Sequence, residues 1–145
     1  NVISADLQTN TILISRNSPV PVFLISDDTV EFLASESNPL GEYIDSSPTI
    51  VELQIKPGMA VIAFSDGVFN AGNRQQQISD FVTTIEALIE EQEPSAQEIA
   101  DFLLHRAVRM DEGRPQDDIS VIVLSISPRS TDRIRRMKVS MALDK

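Results

Sequence analysis

The chain has no cysteine and a single histidine among its 145 residues. Without thiols there is no disulfide framework, no thiolate nucleophile and no zinc–thiolate site. One histidine excludes a histidine-rich metal cluster. A Ser-His-Asp site would have to use His105, which falls in the middle of a helical pattern beside no identifiable nucleophile, so a helix-surface or half-buried place is expected for it. Long apolar runs are also missing: nothing approaches the ~20 residues that cross a bilayer, and no signal peptide is visible. A cytoplasmic location without a membrane partner is the default expectation. Basic residues are scarce in most of the chain. Residues 1–128 carry 6 Lys and Arg against 20 Asp and Glu, while residues 129–145 carry 6 against 2. So acidic a body disfavours a phosphodiester backbone, and no nucleic-acid partner is expected. The basic end is read first as touching its own domain, with RNA or an acidic partner as alternatives.

What remains is the composition of a globular domain, with 41% apolar residues over a length that can bury a real core. The first half reads as short strands. Val2 to Leu7 alternates and pairs with Thr11 to Ser15 through Gln8-Thr9-Asn10. Val20 to Ile25 and Thr29 to Ala34 flank a hairpin turn at Ser26-Asp27-Asp28. A polar connection over residues 35–48 follows, with Leu40 and Tyr43 as candidate anchors, and then the alternating run Thr49 to Ile55. Strands in succession indicate an antiparallel sheet and not a βαβ unit. Ile78, Phe81, Val82, Ile85, Leu88 and Ile89 recur at helical spacing. Ser95-Ala96-Gln97-Glu98 is a capping box opening a second helix with Ile99, Phe102, Leu103, Ala107 and Met110 on one face. The acidic runs Glu90–Glu93 and Asp111-Glu112 read as solvated helix ends. Near the C-terminus, Met137, Val139, Met141 and Leu143 alternate as an edge strand would, with Arg and Lys guarding it. The absence of an initiator methionine and the start inside a strand pattern suggest a piece of a longer chain; a trimmed terminus would look the same.

Two acidic turns bracket the helices. Val61-Ile62-Ala63-Phe64 is a buried strand leading through Ser65 to Asp66-Gly67, and Asp117-Asp118 precedes the apolar run Ile119 to Leu124. If these strands pair antiparallel, an Asp at the exit of one meets an Asp at the entry of the other. Hard oxygen ligands at one sheet edge suit Mg²⁺ or Mn²⁺. The two helices between them then cross over one sheet face, giving an α+β fold.

Taken with Asn38-Pro39-Leu40-Gly41 and Lys56-Pro57-Gly58-Met59, the segments Phe64-Ser65-Asp66-Gly67-Val68-Phe69-Asn70-Ala71 and Gln116-Asp117-Asp118-Ile119-Ser120 carry a resemblance. In this order and spacing, over about 120 residues, the chain resembles the C-terminal part of the PP2C-type metal-dependent protein serine/threonine phosphatases. The similarity is greatest to the bacterial branch represented by the sporulation stage II protein E phosphatase domain. The resemblance implies an antiparallel β-sandwich flanked by helices, present here as a C-terminal fragment over residues 1–128, with residues 129–145 as a basic tail. It implies two Mn²⁺ or Mg²⁺ ions per complete domain, activating a water against a phosphoserine or phosphothreonine. Asp66 and Asp117 would be metal ligands, Asp118 would orient Asp117 or its loop, and Gly67 would permit the turn beside the ion. The implied partner is a phosphorylated regulatory protein such as an anti-sigma factor antagonist, with a homodimer left open.

The resemblance also has gaps. The family's remaining ligands come from an earlier Asp-Gly segment, and nothing before Asp66 matches it: Asp6 sits in a strand, and Asp27-Asp28 in a turn without glycine. Ser15-Arg16-Asn17-Ser18-Pro19 stands where the family tends to have Asn-Ala-Gly-His. Arg16 reads as a strand-end surface residue, with contact to a substrate phosphate as the sharper alternative. Asn70, Asn73 and Arg74 are candidates for the border of a substrate groove. Three readings stay open: a phosphoprotein phosphatase present as an incomplete, poorly active fragment; a catalytically inactive phosphatase-like module for protein interaction or signal reception; and a generic α+β domain with two unrelated acidic turns.

Overall fold

The computed structural model describes residues 1–33, 37–39, 41, 46–73, 78–91 and 93–127. The polar connection's Leu40 and Tyr43, the loop residue Arg74, and the basic tail with its expected edge strand lie outside the described residues.

Seven strands form two antiparallel sheets. The first joins β1 (Val2–Asp6), β2 (Thr11–Arg16) and β5 (Thr49–Gln54) in the order β1-β2-β5. The second joins β3 (Val22–Ser26), β4 (Thr29–Leu33), β6 (Ala60–Phe64) and β7 (Val121–Ser125) in the order β4-β3-β6-β7. The period-2 patterns explain the layering. Val22 and Leu24 on β3, and Val61 and Ala63 on β6, face Ile12 and Ile14 of β2 across the sandwich. Their alternates Phe23, Ile25, Ala60, Ile62 and Phe64 face the other way, into a second core beneath the helices. Both faces of β6 are therefore covered, and all five of its residues are buried, as its unbroken apolar run requires.

The helices α2 (Ile78–Glu91) and α3 (Ala96–Met110) supply Phe81, Ile85, Ile99, Leu103 and Ala107 to that second core. Phe81 stacks on Phe64 at 5.1 Å between ring centroids, and the guanidinium carbon of Arg106 lies 5.0 Å from the Phe81 centroid. The capping box at α3 forms as its residues predict. Glu98 N–H donates to Ser95 Oγ at 3.3 Å, and Ser95 N–H donates to Glu98 Oε2 at 2.7 Å. Hydrogen bonds from the Ser95 hydroxyl and then from its backbone N–H favour the ionised carboxylate and hold Glu98 below its ordinary pKa.

Candidate functional site

The register of β6 against β7 builds the corner. Phe64 pairs with Val121 and Ala60 with Ser125, and one further backbone bond, Ser65 N–H to Ser120 O at 3.0 Å, carries the ladder to the acidic end. The strand itself closes at Phe64, short of the carboxylate the sequence places at its end. Asp66 instead opens a four-residue helical turn, α1 (Asp66–Phe69), with Val68 buried against the second core.

Ser65 stands at the N-cap of α1, yet its hydroxyl makes no cap bond. It donates to the carbonyl of Asp118 at 2.8 Å and accepts from the N–H of Ser120 at 3.0 Å. The hydroxyl has left the helix start to tie the Asp66 turn to the Asp117-Asp118 loop. Gly67 fixes how closely the two approach. A Cβ there would fall on the backbone carbonyl oxygen of Asp118, with the carbonyl carbon of Asp117 at 3.4 Å. A third tie lies behind them: Asp111, at the end of α3, accepts from Gly72 N–H at 2.6 Å and from Gln116 N–H at 3.3 Å. Gly72 has φ 81° and its Cβ position lies 3.3 Å from Met110, so a side chain there would be both strained and crowded.

Asp66, Asp117 and Asp118 are all exposed at this corner. Asp66 accepts from its neighbour Gly67 N–H at 3.2 Å, and Asp117 accepts from Asp118 N–H at 2.8 Å. Asp118 takes part through its backbone, its N–H donating to Asp117 and its carbonyl accepting from Ser65. The ion pair of Lys56 with Asp27, at 3.0 Å, lies elsewhere. The carboxylates of Asp66 and Asp117 are hard-oxygen donors of the kind Mg²⁺ and Mn²⁺ accept. The set is short, however: among the described residues no three His, Asp or Glu side chains group closely enough to hold a metal.

The family model for stage II sporulation protein E (SpoIIE) matches residues 2–127. The chain belongs to the SpoIIE family. Over 121 residues it is 26% identical to the stage II sporulation protein E of Bacillus subtilis (strain 168), an alignment covering 83% of this chain and 14% of that protein. A solved structure of the B. subtilis SpoIIE phosphatase domain, from Mn-presoaked material, superposes with a TM-score of 0.70 at 23% identity, covering 90% of this chain and 57% of that one. A second, of the PP2C phosphatase domain with a fragment of the regulatory domain of B. subtilis SpoIIE, gives a TM-score of 0.67 at 27% identity, covering 84% and 36%. The architecture is thus the PP2C phosphatase fold as a partial domain. The chain spans well under two thirds of each of these relatives.

Within the SpoIIE family setting, Asp6, Asp27 and Asp28 do not join the corner. Asp27 and Asp28 occupy a turn with φ of 52° and 60°. They follow Ile25, which pairs with Ala60 at the far end of β6. Asp27 is held below its ordinary pKa there by Lys56. Asp6 caps the β1–β2 turn, accepting from Gln8 N–H at 2.7 Å. That turn is at the opposite end of the sandwich from Asn1 and Ile3, which share a cavity of about 330 Å³ with Ala63, Ser65 and Ser120. His105 is exposed on α3 and Asn70 on the surface after α1.

Two readings need correction. Arg16 is no surface residue: 1% of it is exposed, because β2 alternation puts it on the same inner face as Ile12 and Ile14. Asp111 is half-buried and bonded, not simply a solvated helix end. Nothing in the residue pattern singled out the Ser65 tie, since both partners of its hydroxyl lie more than 50 residues away in sequence. Replacing Ser65 by alanine is expected to cost about 1 kcal/mol, the net worth of one or two hydrogen bonds. Urea denaturation of wild type and variant measures it.

Proposed function

We propose that residues 1–127, taken alone, act as a phosphatase-like module of the SpoIIE type that carries one half of a metal site and does not turn over phosphoprotein by itself. The observation behind this reading is the short donor set. The Ser65, Gly67 and Asp111 ties support a corner for Asp66 and Asp117, yet no third acidic or imidazole group joins it among the described residues.

A second reading applies where this stretch sits within a complete phosphatase domain. Its support is the maintained corner together with the partial span of the relatives. There Asp66 and Asp117 would hold Mn²⁺ or Mg²⁺, which lowers the pKa of a bound water and neutralises charge on a phosphoserine or phosphothreonine. Within that chemistry, this chain's own part is positional. Gly67 lets α1 close on the acidic loop, Ser65 fixes the loop's distance, and the Asp118 N–H orients the Asp117 carboxylate. The partner would be a phosphorylated regulatory protein, such as an anti-sigma factor antagonist, in a cytoplasmic signalling step. None of the helices described is long and apolar enough to cross a membrane.

Calorimetric titration of the 145-residue chain with Mn²⁺ tests the module reading. The expected result is weak binding that does not saturate at micromolar metal, with no hydrolysis of p-nitrophenyl phosphate above buffer. Tight binding at two sites per chain would overturn it.

A further inference from the structure

Arg16 is the largest side chain closed away from solvent, and nothing in the acidic corner uses it. Its Nη2 donates to the carbonyls of Ser18 and Val20, each at 3.2 Å. Among the described residues its Nε and Nη1 have no acceptor, and neither does Nδ2 of the adjacent Asn17, which is likewise shielded from water. A guanidinium offers five N–H donors, so most of this one is unspent. Burial lowers the Arg16 pKa, and no acidic neighbour offsets the effect. An unpaired buried cation is an expensive arrangement, and a strut for the 17–20 turn would need only the two Nη2 bonds.

The place of Arg16 in the fold matters as much as its burial. It ends β2 one residue beyond Ser15, which pairs with Val2. Asn1 and Ile3, on either side of Val2, line the cavity shared with Ala63, Ser65 and Ser120. Arg16 therefore lies at the same end of the sandwich as the Asp66 turn. Val20, whose carbonyl holds Nη2, packs in one cluster with Phe64 and Val68. Ser37 Oγ donates to the Arg16 carbonyl at 2.8 Å, and Pro19, in the turn that follows Arg16, is exposed.

We propose that Arg16 is the binding residue of an oxyanion site at this end of the sandwich, taking an oxygen of a phosphoryl or carboxylate group on its vacant Nε–H or Nη1–H, with the Asn17 amide beside it. Nε and Nη1 point to different flanks of the guanidinium, so one small anion engages one of them and not both. A charged acceptor supplies the partner that the buried cation lacks, through a charge-assisted hydrogen bond. The site does not depend on what Asp66 and Asp117 bind.

The test uses the 145-residue chain in metal-free buffer containing EDTA, at constant ionic strength set with sodium chloride. Inorganic phosphate and acetate are titrated separately, and binding is followed by calorimetry and by thermal unfolding. The expected result is saturable binding of at least one anion, weakened at least tenfold in Arg16→Gln. The melting temperature should rise by about 5–10 °C at a hundredfold excess over Kd. Phosphate binding without acetate binding assigns a phosphoryl ligand. Acetate binding, with or without phosphate, assigns a carboxylate. General salt stabilisation does not saturate, and so is told apart. Absence of saturable binding by either anion to the wild-type chain overturns the proposal whether or not the variant folds. Equal binding by a folded Arg16→Gln overturns it too. Because metal is excluded throughout, the outcome is independent of the reading of the acidic corner.

Discussion

Within a complete phosphatase domain, Asp66→Ala is expected to lower metal-dependent hydrolysis of a phosphoserine peptide by about a thousandfold. A metal clamp supplies several kcal/mol of transition-state stabilisation, and each ~1.4 kcal/mol is tenfold in rate. The fold should barely notice the change. Asp66 is exposed, and the bond its carboxylate makes is to the N–H of the next residue. Unfolding midpoints of the two proteins should agree closely while turnover collapses, and that combination separates a ligand from a structural acid. Asp66→Asn is the stricter variant, since it keeps the shape and the hydrogen bond while removing the charge. Unchanged turnover in either variant would remove Asp66 from the site.

Gly67→Val should act through geometry instead of charge. The atoms in the way of a Cβ at Gly67 belong to the backbone of Asp117 and Asp118, which cannot rotate aside as a side chain would. Either α1 or the acidic loop must move, and the Ser65 bonds to Asp118 and Ser120 must stretch or break with it. Overpacking of this kind costs about 1–3 kcal/mol. The expected outcome is a stability loss in that range, read by urea denaturation, together with metal affinity reduced at least tenfold in a complete domain. Ser65→Ala gives the milder comparison, removing the tie without forcing the segments apart. Wild-type metal affinity in Gly67→Val would show that the close approach has no bearing on the carboxylates.

The parts of this molecule that were legible in its residues are those governed by local period and capping. The all-apolar run of β6 gave a strand covered on both faces, and the 3.6-residue spacing of Phe81, Ile85 and their neighbours gave α2. Ser95 and Glu98 marked the start of α3 with the bonds that form there. The antiparallel pairing of β6 with β7, the condition on which the two acidic turns could approach each other, is present. What escaped was long-range. Ser65 read only as a link between the strand and the Asp66 turn, because the carbonyl its hydroxyl reaches, that of Asp118, is 53 residues away in sequence. Asp111 looked like a solvated helix end, and its partner Gly72 is 39 residues distant. Arg16 was different, because its signal was present: it continues the inward alternation Ile12, Ile14, Arg16. Its charge outweighed its register in the reading, since arginine is rarely buried without a partner.

An unpaired guanidinium, a short donor set at the acidic corner and the exposed Ile122 of β7, 64% accessible, all lie at or beside one end of the sandwich. At the other end the Asp27 turn is paired to Lys56, and the Asp6 carboxylate accepts from the Gln8 N–H.

The central claim is that Asp66 and Asp117 meet over one divalent cation at the corner that Ser65 and Gly67 hold together. Crystals of the chain soaked in excess Mn²⁺, with anomalous diffraction recorded at the manganese edge, test it most directly. The expected map has a single anomalous peak about 2.2 Å from a carboxylate oxygen of each aspartate, with water completing an open shell. A map with manganese bound elsewhere on the chain and none between these two carboxylates would contradict it.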